Sequence, residues 1–206
     1  MSPRARAGSA GRVIAGTARG RVLVAPGEGT RPLGDRVKQT LFAILEPAIR
    51  GRAFLDLFAG SGAAGIEALS RGAERAVFVE RDQGAIEAIR RNLATTGLGG
   101  ARAEVVRGAA NRWLAEHARS HGPFSAALID PPYDRPELLQ QALEAIADAG
   151  PGAVLAEDGT IVAKHFAKTA APEIGLLRSV RERRFGETTL TFLRWATALP
   201  VDEEDG

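Results

Sequence analysis

Two short stretches of this 206-residue chain have the residue types and spacing to do chemistry. The first is Asp56-Leu57-Phe58-Ala59-Gly60-Ser61-Gly62-Ala63-Ala64-Gly65. It follows an apolar run and opens a helical pattern, so its glycines allow a ligand close to the backbone at the carboxyl edge of a sheet. Gly60, Gly62 and Gly65 spell G-x-G-x-x-G, and Glu80 closes the next apolar run, where a carboxylate would grip ribose hydroxyls. A nicotinamide dinucleotide fits that spacing, but Asp56 favours S-adenosylmethionine. A carboxylate just ahead of the glycines repels a pyrophosphate and attracts a sulfonium or ammonium cation. No Gly-Lys-Ser/Thr follows the loop, which excludes a P-loop.

The second stretch is Asp130-Pro131-Pro132-Tyr133. The prolines fix φ and present carbonyls without amide donors, so the turn is a rigid acceptor surface suited to an amino group. The exocyclic amine of a nucleobase is a poor nucleophile because its lone pair is delocalised into the ring. Hydrogen bonds from its two N–H groups to the Asp130 carboxylate and the Pro131 carbonyl favour a pyramidal nitrogen and turn the lone pair toward an electrophilic methyl group. Tyr133 then stacks on the base.

The elements that must position these stretches follow from periodicity. Residues 12–25 hold two short β-type runs around glycine turns, a small basic hairpin. Val37, Leu41, Phe42, Ile44 and Leu45 recur at helical spacing, with Asp35 as the expected N-cap and Pro47 near the end. Strands are expected at 54–58, 76–80, 103–107 and 126–130, and helices at 62–71, 82–96, 111–120 and about 137–149. This alternation predicts an α/β fold, a parallel sheet with helices on both faces. A further strand at 160–165 precedes runs at 176–185 and 188–195 around Gly186-Glu187, an antiparallel hairpin. In the usual strand order both chemical stretches meet at one sheet edge. The chain divides into a basic arm and hairpin (1–34), a catalytic domain (35–200) and an acidic, disordered tail (201–206).

Charge is unevenly spread. Residues 1–38 carry eight basic side chains against Glu28 and Asp35, a net +6 that leaves −4 for the remainder. Such an arm suits a polyanion, whose phosphates attract it and release counterions on binding. Arg181, Arg183 and Arg184 either extend that surface or form a solvated strand face. Cysteine is absent, which excludes disulfides, thiolate zinc cages and the thiolate that cytosine-C5 methylation ordinarily needs. His117, His121 and His165 lack metal-ligand spacing, so no metal is expected, and Trp113 and Trp195 read as packing residues. There is no apolar run of membrane-spanning length and no secretory signal, so a cytosolic protein without a membrane role is expected.

The pairing of residues 56–62 with 130–133 resembles class I S-adenosylmethionine-dependent amino-methyltransferases acting on adenine N6 or guanine N2. Arg19-Gly20-Arg21, Thr30-Arg31-Pro32, Asp35-Arg36-Val37-Lys38-Gln39-Thr40-Leu41-Phe42, Ile66-Glu67-Ala68-Leu69-Ser70-Arg71-Gly72-Ala73 and Gly186-Glu187 narrow the likeness. From about residue 12 to 195 the chain is similar to the bacterial 16S rRNA guanine-N2 methyltransferase family, RsmD. The resemblance implies a Rossmann-like, seven-stranded class I methyltransferase sheet with S-adenosylmethionine as cofactor. It places the methionine end at Asp56, Phe58, Ala59, Gly60, Ser61 and Gly62, ribose at Glu80 with Arg81 as a further cofactor contact, and adenine near Gly108 and Ala109. Asp130 borders cofactor and target guanine alike, with Pro131, Pro132 and Tyr133 on the guanine. The rRNA, within the 30S subunit or an assembly intermediate, is held through Arg12, Arg19, Arg21, Arg31, Arg36 and Lys38. Leu33-Gly34 stands where the family often has Thr-Thr or Thr-Ser, and Ala109 where it has a polar residue, so adenine contacts there come from backbone. The competing readings are a DNA adenine-N6 methyltransferase, for which there is little room to read sequence, and a non-catalytic nucleic-acid-binding module on the same fold. Deleting residues 1–25 is expected to weaken RNA binding while sparing cofactor binding.

Overall fold

The computed structural model describes residues 8–27, 33–169 and 171–198. It begins with a two-stranded antiparallel hairpin, β1 (Ser9–Arg12) and β2 (Val22–Val24), followed by α1 (Asp35–Ile49). Next come β3 (Ala53–Leu57), α2 (Ala63–Ser70), β4 (Arg75–Glu80), α3 (Gln83–Thr96) and β5 (Ala103–Arg107). The helices α4 (Ala110–Glu116) and α5 (Ala118–His121) lead to β6 (Phe124–Ile129), α6 (Glu137–Ala149) and β7 (Leu155–Phe166). The strands β8 (Leu177–Phe185) and β9 (Thr188–Trp195) close the fold.

Seven strands form one sheet in the order β5-β4-β3-β6-β7-β9-β8, parallel except for β9, which runs antiparallel to β7 and β8. The mostly parallel sheet, its antiparallel terminal hairpin and the small N-terminal hairpin are the expected architecture. All five side chains of β3 and all six of β6 are buried, as strands covered on both faces require. One core unites Leu41, Phe42 and Leu45 of α1 with Leu69 and Ile89, and the opposite core gathers Trp113, Leu114, Leu143 and Ile146. Each such side chain fully buried contributes about 1.5–3 kcal/mol. Between β3 and β6 the strand order reverses, and a crevice opens outside the carboxyl ends of the strands at such a point. Leu57 pairs in register with Ile129, so both chemical stretches leave the sheet side by side.

Four boundaries differ from the periodicity. Gly34, not Asp35, caps α1, and Asp35 is a first-turn acid that pairs with Arg12 and Lys38. The helix expected at 111–120 breaks at His117, whose φ of −130° is not helical. Trp113 before the break and Ala118 after it are both buried in the core. Strand β7 starts at Leu155 because its pairing with β6 jumps from Leu155 to Thr160, so residues 156–159 bulge from the ladder. β1 begins earlier than expected, at Ser9, and residues 13–20 form the turn.

The hairpin is docked. The Ile14 and Ala15 amides donate to Glu67 Oε2 and Oε1 at 2.8 and 3.0 Å, and the Ala18 amide donates to Ser70 Oγ at 2.9 Å. Gly16 permits this approach: with φ +82°, a Cβ there would stand 1.8 Å from the Ser70 carbonyl oxygen. Ala10, Val13, Leu23 and Ala25 join the core that holds Phe42. Residues 1–7, 28–32 and 199–206, which include Arg31, Thr30-Arg31-Pro32 and the acidic tail, lie outside the described residues. Among the described residues no helix is long and apolar enough to cross a membrane.

Candidate active site

A cleft of about 820 Å³ opens at the reversal point and is lined from both halves of the sheet. Asp56, Phe58, Ala59, Gly60 and Ser61 reach it from the β3 end, Glu80 and Arg81 from β4, Gly108 and Ala109 from β5, and Asp130, Pro131, Pro132 and Tyr133 from β6. The sequence-predicted cofactor and target residues are thus gathered in one place, apart from Gly62. Gly62 caps α2 in the left-handed region behind the loop. Gly65 is likewise a packing residue, since a Cβ there would sit 2.2 Å from the Phe78 ring. The third glycine of G-x-G-x-x-G therefore sets helix against sheet.

The loop is held by two acidic side chains. Asp56 Oδ2 accepts the Gly65 amide at 2.9 Å. Glu80 Oε2 accepts the Gly60 amide at 2.8 Å, while Oε1 takes the amides of Arg81 and Asp82 at 2.7 and 2.9 Å. A carboxylate offers about four lone-pair sites, so Glu80 keeps capacity for a hydroxyl. Phe58 is held at φ +60°, the left-handed region a bulky side chain avoids. Asn92 ties this loop to the hairpin: its Nδ2 donates to the carbonyls of Ser61 and Val24, both at 2.9 Å, and its Oδ1 accepts the Val24 amide.

Burial drives the Asp56 carboxyl up to about 8, aided by the nearby Asp130 and Glu80 charges and opposed by the Gly65 amide. An acid held neutral by burial fits a ligand that brings a positive charge. The ammonium and sulfonium of S-adenosylmethionine meet that requirement. Because the cation favours the carboxylate, binding near pH 7 is expected to release a proton, with affinity rising toward pH 8 and levelling above it. Calorimetry in buffers of different ionisation enthalpy measures this; Asp56→Asn should remove the released proton and weaken binding. Asn111, at the start of α4, also lines the cleft, and its buried Oδ1 has no hydrogen-bond partner among the described residues.

On the target side Tyr133 is fixed from three directions. Its hydroxyl meets Thr188 Oγ1 at 2.8 Å, its ring stands edge-on to Phe166, and Lys164 Nζ lies 4.8 Å from the ring centroid. Lys164 thus stands over the Tyr133 ring. Its Nζ also donates to Asp130 Oδ1 at 2.6 Å. Sequence reasoning missed Lys164, although a lysine inside the apolar run Ile161-Val162-Ala163 to His165 was an available signal. Glu67, the sole charged residue of the wholly buried helix α2, was another.

The basic residues divide. Arg12, Arg19, Arg21 and Arg36 are exposed, although Arg12 is paired with Asp35 at 3.1 Å. Lys38 corrects the expectation that it holds phosphates: it is 0% exposed, and its Nζ donates to the Arg12 carbonyl. Burial lowers its pKa against the pull of Asp35 and Glu67. It anchors the hairpin to α1. Trp113 and Trp195 are buried packing residues. Among the described residues no group of His, Cys, Asp and Glu is placed to hold a metal.

The strand order, the glycine-loop cleft and the acceptor turn define a class I S-adenosylmethionine-dependent methyltransferase. Residues 11–194 match the family described as "Conserved hypothetical protein 95", and the chain belongs to that family. YlbH of Bacillus subtilis (strain 168), provisionally named an rRNA methyltransferase, is 42% identical over 86% of this chain and 95% of its own. The ribosomal RNA small subunit methyltransferase D of Escherichia coli (strain K12) is 38% identical over 79% of this chain and 78% of its own. The solved structure of yhhF from Escherichia coli, provisionally named a methyltransferase, has a TM-score of 0.75 at 34% identity and covers 89% of this chain and 97% of that one.

Proposed function

We propose that the protein methylates the exocyclic N2 of a guanine in 16S rRNA, within the 30S subunit or an assembly intermediate. The observation that carries this reading is the acceptor turn at Asp130 and Pro131 opening into the same cleft as the Asp56 loop. The names of the similar relatives support rRNA as the substrate class, and the resemblance to the RsmD family supports guanine N2 as the atom. S-adenosylmethionine, when bound, supplies a methyl group on a positively charged sulfur. Asp56 and the loop of Phe58, Ala59, Gly60 and Ser61 receive its methionine end, Glu80 and Arg81 its ribose, and the backbone of Gly108 and Ala109 its adenine. Asn111 Oδ1 is an acceptor for the adenine amine, a role that Ala109 cannot fill.

The guanine leaves its stack, stacks on Tyr133, and donates its two amino hydrogens to Asp130 and the Pro131 carbonyl. The nitrogen lone pair is thereby aimed along the line of transfer. As the new N–C bond forms and the C–S bond breaks, one proton leaves the nitrogen for water or for Asp130.

Exposed Arg12, Arg19, Arg21 and Arg36 hold the rRNA backbone. Because the hairpin shares the core and Ala10 and Ala25 wall the cleft, deleting residues 1–25 would disturb the cofactor site too. Point substitutions separate the two roles. Arg19→Ala with Arg21→Ala is expected to weaken RNA binding and flatten its salt dependence by about one to two charges, leaving cofactor affinity unchanged. Filter binding across a salt series measures it.

The proposal is tested with methyl-labelled cofactor on naked 16S rRNA, on small-subunit particles lacking the modification, and on duplex DNA. Label in the rRNA and none in DNA is expected. Label in DNA alone would reassign the enzyme to adenine N6, and cofactor binding without label anywhere would leave a non-catalytic binding module.

A further inference from the structure

Lys164 follows Ala163, which pairs in register with Ile129, and so it arrives beside Asp130. Its side chain is 8% exposed, its Nζ is 2.6 Å from Asp130 Oδ1, and the same ammonium lies over the Tyr133 ring. Val162, Ala163 and His165 around it are buried. An ammonium in such a position is unfavourable unless it is paired, and its partner is the carboxylate that faces the target amine. Among the described residues no donor meets Asp130 Oδ2. Among the acidic groups, Asp56 on β3 interacts with Asp130 and brings it no positive charge. Tyr133, on the same loop as Asp130, adds a phenol, and Arg135 is engaged by Glu137 at 2.9 Å.

We propose that Lys164 is a positioning residue for methyl transfer: it holds Asp130 as an anion by Oδ1, leaves Oδ2 for the target amine, and steadies one face of Tyr133. This rests on reading residues 130–133 as the amine site. A protonated Asp130 would present a hydroxyl to the amine in place of an acceptor, and the lone pair would lose its orientation. Burial pushes the Asp130 carboxyl upward and Lys164 opposes that push. Asp130 and Tyr133 in turn hold Lys164 charged against its own burial. Removing the ammonium therefore raises the Asp130 pKa further, and the anionic, active fraction at a given pH falls.

The test is the pH profile of kcat/KM for rRNA methylation by Lys164→Met, with Lys164→Gln as a second neutral variant should methionine prevent folding, and cofactor binding as the check on fold. The acid limb is expected to move up by about one to three pH units. Activity near neutral pH falls about tenfold or more and returns at alkaline pH, KM for the particle stays within about twofold, and Lys164→Arg recovers the wild-type profile. In an Asp130→Asn background, Lys164→Met causes no further loss. A loss equal at every pH, no loss, or an additive loss in that background overturns the proposal while wild-type activity stands. A folded wild type that methylates no purine amine overturns the amine-site reading and this proposal with it.

Discussion

Asp130→Ala is expected to retain cofactor binding and to transfer methyl groups about 10²–10⁴-fold more slowly, the range for removing a positioned acid-base or charge-stabilising group. The reason lies in the acceptor turn. With the carboxylate gone, only the Pro131 carbonyl remains to hold the amine, so its lone pair is no longer aimed. The substitution also strands Lys164, which is buried and has Asp130 as its ion-pair partner. Stranding a buried charge destabilises by about 3–5 kcal/mol at full burial, and by less here because Asp130 is partly open to the cleft. The two effects separate in Asp130→Ala/Lys164→Met, which should regain thermal stability over Asp130→Ala and remain inactive. A double variant that recovers activity would show that Asp130 serves the fold and not the amine.

Glu67→Ala is expected to lower stability by about 2–5 kcal/mol, the summed cost of leaving two backbone donors without their acceptor at about 1–3 kcal/mol each. Glu67 is 0% exposed and accepts the amides of Ile14 and Ala15 together with Arg71 Nε at 2.7 Å. Arg71 keeps Glu46 at 2.8 Å, so the stranded groups are chiefly the two amides of the hairpin turn. At about 2–4 °C per kcal/mol for a domain of this size, the midpoint of thermal unfolding drops by roughly 10 °C. The hairpin should loosen first, and trypsin should then cut faster at Arg19 and Arg21. An unchanged midpoint and unchanged cleavage would mean that the turn is held by Ser70 and the apolar side of the hairpin alone. Glu67→Gln, which keeps one oxygen acceptor, should fall between the two.

The difference between what could be read in the sequence and what could not follows from range. The glycine loop, the Asp-Pro-Pro-Tyr turn and the strand–helix alternation are local patterns, and the elements follow in the expected order with boundaries moved at β1, α1, α4 and β7. Lys164 acts on Asp130 only because β7 lies beside β6 with Ala163 opposite Ile129. That register is a long-range fact; the strand pattern shows an unexpected lysine without naming its partner. Lys38 reads as one more cation of a basic segment until the hairpin folds over it and its Nζ takes the Arg12 carbonyl. Asn92 similarly sits within an amphipathic helix, and its link between Val24 and Ser61 exists only once the hairpin has docked. The break at His117, where φ is −130°, is a local change of backbone direction that the apolar spacing does not show.

Identifying the methylated nucleoside tests the central claim most directly. Small-subunit particles lacking the modification are incubated with the protein and methyl-labelled S-adenosylmethionine, the rRNA is digested, and the labelled nucleoside is identified by mass and chromatography. N2-methylguanosine is the expected product, dependent on an intact Asp130. A labelled N6-methyladenosine, a methylated ribose or an unlabelled digest would contradict the assignment of Asp130 and Pro131 to the guanine amine.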